Sequence, residues 1–235
     1  YDKLFADFDK FLREKNLIMN QGVIIDGSFV EVPRQRNTRE ENKAIKEGRG
    51  NELWNEEEGD SEEDKKKKAN KKRHKDTDAR WTKKGGQKYY GYKNHAKVDA
   101  KSKLIKKSVT TSAEQHDSVP TRLLIDNDDR GQELHADSAY IGKNVKSVMR
   151  KYQMKDRVIK RSVRGKKPSK KQETINRKNS KTRVRVEHVF GYCELNLHGM
   201  FSRVVGLARN AARNTLTNLV YNVCRYEQIV RLGMN

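Results

Sequence analysis

The chain is 235 residues long, with 53 Lys and Arg against 32 Asp and Glu, a formal net charge of +21, 36% charged and only 33% hydrophobic residues. No apolar run approaches the roughly 18 residues needed to span a bilayer, and no signal-peptide pattern is present, so the sequence argues against a membrane-embedded or secreted protein and for a cytoplasmic one. A positive excess of this size calls for a polyanionic partner, and nucleic acid is the first candidate.

The chain opens at Tyr1 rather than Met, inside a helical pattern, so a fragment of a longer protein is expected. Leu4, Phe5, Phe8 and Phe11-Leu12 recur at helical spacing and predict an amphipathic helix over 2–15. Gly22 to Val30 is a short apolar run broken by Asp26, which suits a strand buried on both faces. An acid in such a strand needs a reason. From Arg39 to Lys75 the periodicity gives way to a charge diblock, acidic from Glu56 to Asp64 and basic from Lys65 to Lys75, expected to be a disordered insertion.

Order resumes at Asp78-Ala79-Arg80-Trp81. Tyr90, Tyr92, Ala96 and Val98 share one face of an alternating strand, residues 99–102 offer a turn, and Leu104 to Thr111 returns as the second strand of a hairpin. His116 to Pro120 supplies an N-cap candidate and a first-turn proline for a helix ending near Ile125. Glu133 to Tyr140 reads as a short strand delivering Asp137, Val145, Val148, Met149 and Tyr152 mark a helix, and Val158-Ile159 is a last short strand.

The segment 160–185 holds twelve basic residues, Lys160, Arg161, Arg164, Lys166, Lys167, Lys170, Lys171, Arg177, Lys178, Lys181, Arg183 and Arg185, against Glu173 alone. Such a stretch suits sequence-independent contacts to DNA phosphates. Two helices close the chain, one from about Thr182 to Leu197 and one marked by Leu216, Leu219, Val220, Val223 and Val230. Cys193 and Cys224 fall within these patterns with no partner at metal-ligand spacing, as buried reduced thiols do. The element order gives an α/β fold with a mixed sheet, formed by 21–38 and 76–232, with 1–20 leading in and 39–75 inserted.

Asp26, Asp137 and Glu187 stand out as acids on elements that should pack, where an unpaired carboxylate costs several kcal/mol. Hard divalent cations such as Mg²⁺ take carboxylate oxygens and usually a phosphate, and a pair of them can hold a scissile phosphate during in-line displacement. At 100° per residue Ser180, Arg183, Glu187 and Glu194 lie near one line of the last basic helix, so Arg183 and Glu187 would face one spot. Each residue also has a plainer reading: a strand-end cap for Asp26, a helix N-cap for Asp137, and an intrahelical salt bridge for Arg183 and Glu187. The set, rather than any one member, suggests a metal site.

The blocks Asp26-Gly27-Ser28, Asp78 to Gly86, Tyr90 to His95, His116-Asp117-Ser118, Ala136 to Tyr140 and Arg183 to Gly191 resemble, in one order, the DDE transposases of bacterial insertion sequences of the IS-five type. The resemblance implies an RNase H-like, five-stranded mixed sheet flanked by helices, and a DDE triad of Asp26, Asp137 and Glu187 that is catalytic and binds two Mg²⁺ or Mn²⁺ ions. It implies cleavage and strand transfer at the terminal inverted repeats, with double-stranded DNA and a second protomer as partners, in the bacterial cytoplasm at the nucleoid. In the helix signature of that family Arg183 and Glu187 fit, while Ser180 stands for its Tyr and Glu194 for its Lys. Ser138-Ala139 replaces a frequent Lys-Gly pair. A remnant that binds DNA without catalysis and an RNase H-like nuclease are the alternatives. Trp81, Tyr90 and Tyr92 read as hairpin packing more readily than as base-stacking platforms, and His116 as a cap neighbour.

Overall fold

The computed structural model describes residues 1–161 and 169–233, and the basic residues Arg164, Lys166 and Lys167 lie outside them. The first helix, α1 (Asp2–Glu14), leads into β1 (Gly22–Glu31), whose Val23, Ile24 and Ile25 are fully buried. A continuous apolar run of this kind has cover on both sides. One face meets Leu124, Leu134 and Val145, and the other meets Ala96, Val98, Val186 and Val189.

The charged segment 39–75, expected to be disordered, carries two helices, α2 (Arg39–Lys46) and α3 (Glu62–His74). Local signals account for them. Thr38 and Glu41 form a reciprocal capping box at the start of α2, and the Ser61 hydroxyl caps α3. Acids fill the first turn of α3 and bases its last, as the helix dipole favours. The Glu41 carboxylate then accepts from Trp54 Nε1 at 2.8 Å and Lys71 Nζ at 3.1 Å, tying the two helices together.

Next come β2 (Arg80–Lys84), β3 (Gln87–Asp99) and β4 (Ile105–Ser112). β3 runs antiparallel to β1 on one side, and on its other side pairs first with β2 and then with β4. The expected hairpin is thus β3–β4, and β2 adds a second, closed by Gly85-Gly86 with φ of 58° and 88°. A two-residue turn with both φ positive is the type that glycines permit. After α4 (Thr121–Leu124), a single turn preceded by Pro120, β5 (Glu133–His135) lies parallel to β1. Following α5 (Lys143–Lys151), β6 (Lys155–Asp156) lies parallel to β5.

The sheet therefore has six strands rather than five, with an antiparallel trio of β4, β3 and β1 continued by the parallel β5 and β6. This is the mixed sheet of the RNase H-like fold. The last strand falls at 155–156 rather than Val158-Ile159, although Ile159 still donates to the Ala136 carbonyl.

The basic segment is helical from Lys170 to Arg183 (α6), and the helix expected over 182–197 is instead α7 (Arg185–Leu195), separated from α6 at Val184. The final helix, α8 (Leu207–Arg231), carries Asn210, Asn214, Asn218 and Asn222 one turn apart, all within 1% of full burial. Asn218 exchanges hydrogen bonds with Asn94, Asn214 donates to Thr110, and Asn222 serves both backbone groups of Ile105. A row of buried amides docks α8 onto β3 and β4, and no such buried polar seam is evident from the apolar pattern.

Candidate active site

Asp26 sits in the middle of β1, and its strand does not turn at Gly27-Ser28 but continues to Glu31. Its Oδ1 accepts from the Gly27 N–H at 2.8 Å. Asp137 lies two residues beyond β5. Ile24 pairs with His135, so continuing that parallel register by two places brings Asp137 beside Asp26 on the same face. Asp137 also caps the short turn that follows, its Oδ1 accepting from Ala139 N at 2.7 Å. The cap reading is thus met one turn earlier than the α5 start.

Arg183, at the end of α6, closes the arrangement. Its Nη1 donates to Asp26 Oδ2 at 2.8 Å and its Nη2 to Glu187 Oε1. The salt bridge expected across one helical turn is present, across the break at Val184, and it extends to the strand. Arg183 is 17% exposed and Asp26 14%, whereas Glu187 is 55% exposed at the rim. Burial pushes the Asp26 carboxyl up to about 6, opposed by the Gly27 N–H and the Arg183 charge and reinforced by Asp137.

Asp26, Asp137 and the Arg183–Glu187 pair therefore meet at one patch, but with the guanidinium between Asp26 and Glu187. Among the described residues no group of three or more His, Cys, Asp or Glu side chains is gathered to hold a metal ion. The donor chemistry still fits a hard cation in one respect. Two carboxylates stand side by side with one buried, and among the described residues the charge that offsets Asp26 by direct contact is Arg183.

Several residues around the patch fall in the blocks that carry the resemblance, although periodicity and spacing assign them no role. On the opposite face of β1, Asp117 pairs with Lys93 Nζ at 2.8 Å, both largely buried. His95 lies alongside, its Nε2 bonded to Thr111 Oγ1 at 2.9 Å, and burial lowers it to about 4. Gly27 makes room for this group, since a Cβ there would sit 2.8 Å from His95 Nδ1. Tyr140 is 1% exposed, its hydroxyl has no partner among the described residues, and burial together with Asp26, Asp117 and Asp137 holds it well above the ordinary phenol range. His116 bonds Ser118 Oγ in an exposed turn.

The basic segment divides by role. Lys160 pairs with Asp156, Arg161 Nε donates to Ser138 Oγ at 2.9 Å beside the Asp137 turn, and Arg185 turns to the Ala100 carbonyl. Lys170, Lys171, Arg177, Lys178 and Lys181 are exposed along α6. Tyr90 and Tyr92 are core residues, and Trp81 packs on Tyr90 beneath Arg34. Both cysteines are free thiols, Cys193 pushed up to about 12 by burial.

Residues 19–223 match the family model described as Transposase DDE domain. No solved structure matches the chain.

Proposed function

Because the chain belongs to the family of transposase DDE domains, we propose that it is an insertion-sequence transposase of the IS-five type, cutting DNA at element ends and joining the freed 3′-hydroxyl to target DNA. The observation that carries this reading is the meeting of Asp26, Asp137 and the Arg183–Glu187 pair from separate segments of the chain.

Asp26 and Asp137 would hold divalent metal, with Glu187 joining them when Arg183 turns to a DNA phosphate. Two Mg²⁺ or Mn²⁺ ions, when bound, supply Lewis-acid polarisation of the scissile phosphate. Arg183 orients a phosphate oxygen through its planar fork. Arg161, beside the Asp137 turn, and the exposed bases of α6 track the duplex backbone. The protein acts in the bacterial cytoplasm, as a homodimer or larger assembly on the paired element ends.

Asp26→Asn, Asp137→Asn and Glu187→Gln are each expected to abolish Mg²⁺-dependent cleavage of a duplex carrying the terminal repeats, with duplex affinity nearly unchanged. Cleavage retained by the Asp26 or Asp137 variant would sink the assignment. Joined strand-transfer products in the wild-type reaction separate a transposase from a nuclease.

A further inference from the structure

A cleft of about 630 Å³ opens between α7, α8 and the turn that joins β3 to β4. Lys103, His188 and Arg225 contribute to its wall, together with Tyr192 and Tyr221. The acid on that wall, Glu227, is held by Arg231 at 3.0 Å.

Three cations crowd the turn, and among the described residues no carboxylate pairs with any of them. Arg185 Nη1 donates to the Ala100 carbonyl and Arg225 Nε to the Ser102 carbonyl at 2.8 Å, while Tyr221 donates to the Lys103 carbonyl at 3.0 Å. The acid in the turn, Asp99, is spent: Oδ1 accepts from Lys101 N, Ser102 N and Ser102 Oγ, and Oδ2 from Asn20 N. Burial and then the charges of Arg225 and Arg185 hold Lys103 below the ordinary lysine value. No Asp or Glu occurs in 162–168 or 234–235. Like charges fixed together by carbonyl contacts, with N–H groups left over, are preorganised for an oxyanion.

We propose that this cleft binds a backbone phosphate of the DNA on which the protein acts. The proposal takes its DNA from the proposed function but does not depend on the three carboxylates. Ala100 N donates to the Gly22 carbonyl, and Gly22 stands four residues from Asp26, about 13 Å along β1. The phosphate held here is therefore not the one undergoing reaction. It fixes the duplex at a second point.

Lys103→Gln removes the cation whose side chain makes no hydrogen bond among the described residues, and Lys103→Arg restores the charge. Binding of duplex DNA by fluorescence anisotropy across a salt series, with unfolding temperature measured with and without inorganic phosphate, tests the cleft. Lys103→Gln should bind several-fold more weakly and flatten the slope of log affinity against log salt by about 0.9, with Lys103→Arg like wild type. Inorganic phosphate should stabilise the wild type more than Lys103→Gln. An unchanged slope in Lys103→Gln overturns the proposal, and a phosphate effect that disappears while the slope stays the same means that the cleft takes free phosphate instead. Failure of the wild type to bind duplex at all would count against the proposed function itself.

Discussion

Asp26 is held in an environment that opposes its charge. With its carboxyl pushed up to about 6 by burial, the folded chain binds a proton between pH 4 and 6 more tightly than the unfolded chain does. Stability is therefore lost as pH rises through that range, by about 3 kcal/mol at full extent. Asp26→Asn should raise the unfolding temperature of the metal-free protein at pH 8 and bring no gain at pH 4, while cleavage disappears. His95 works in the opposite direction. Burial lowers it to about 4, so its neutral form contributes stability that is complete above pH 6.5 and declines as pH falls towards 4, again by about 3 kcal/mol. Urea titrations at pH 7 and pH 4.5 should show His95→Gln losing less stability on acidification than wild type. An equal loss in both would show that other groups govern the acid limb. Gly27→Ala should cost about 1–3 kcal/mol through overpacking against the His95 ring.

At the scale of elements, the apolar patterns of β1, β3 and α5 are legible because each has one face or both against the core, whereas of the residues that mark α8 only Leu219 is buried and Leu216, Val220, Val223 and Val230 are exposed. The buried face of α8 is not legible. Asn210, Asn214, Asn218 and Asn222 are polar, yet they are buried because β3, β4 and nearby loop carbonyls supply partners that hydropathy does not register. Replacing Asn222 with Ala would leave both backbone groups of Ile105 unpaired, at about 2–3 kcal/mol. Hydrogen exchange at the Ile105 amide should accelerate with it. The reverse error concerns α2 and α3, where net charge points to disorder although Thr38 and Glu41, three residues apart, spell a capping box. Of the candidate site, the carboxylates and Arg183 are visible in the sequence as acids and a base on packing elements. The Lys93–Asp117 pair is not, because it joins a strand to a loop with no shared periodicity.

For the whole molecule, the +21 charge separates into parts that behave differently. Lys68, Lys71 and Lys75 in the insertion are bound to Asp60 or Glu41, whereas the α6 cations project outward. Replacing Lys170, Lys171, Arg177 and Lys178 with Gln should weaken duplex binding and lower the salt slope by about 0.9 for each phosphate that is no longer neutralised. Neutralising Lys68 and Lys71 should leave that slope nearly unchanged. Among the described residues no helix is long and apolar enough to cross a membrane. The two ends of the charged insertion meet, since Lys75 Nζ bonds the Arg36 carbonyl at 2.7 Å and Asn37 Oδ1 at 2.8 Å. Whatever lies between them leaves and rejoins the sheet at one point, so its length is a free variable of the architecture. Residues 38–74 also brace the start of β2, since Arg80 Nη2 donates to the Ile45 carbonyl at 2.9 Å, so a linker that replaces them has to supply Arg80 with another acceptor.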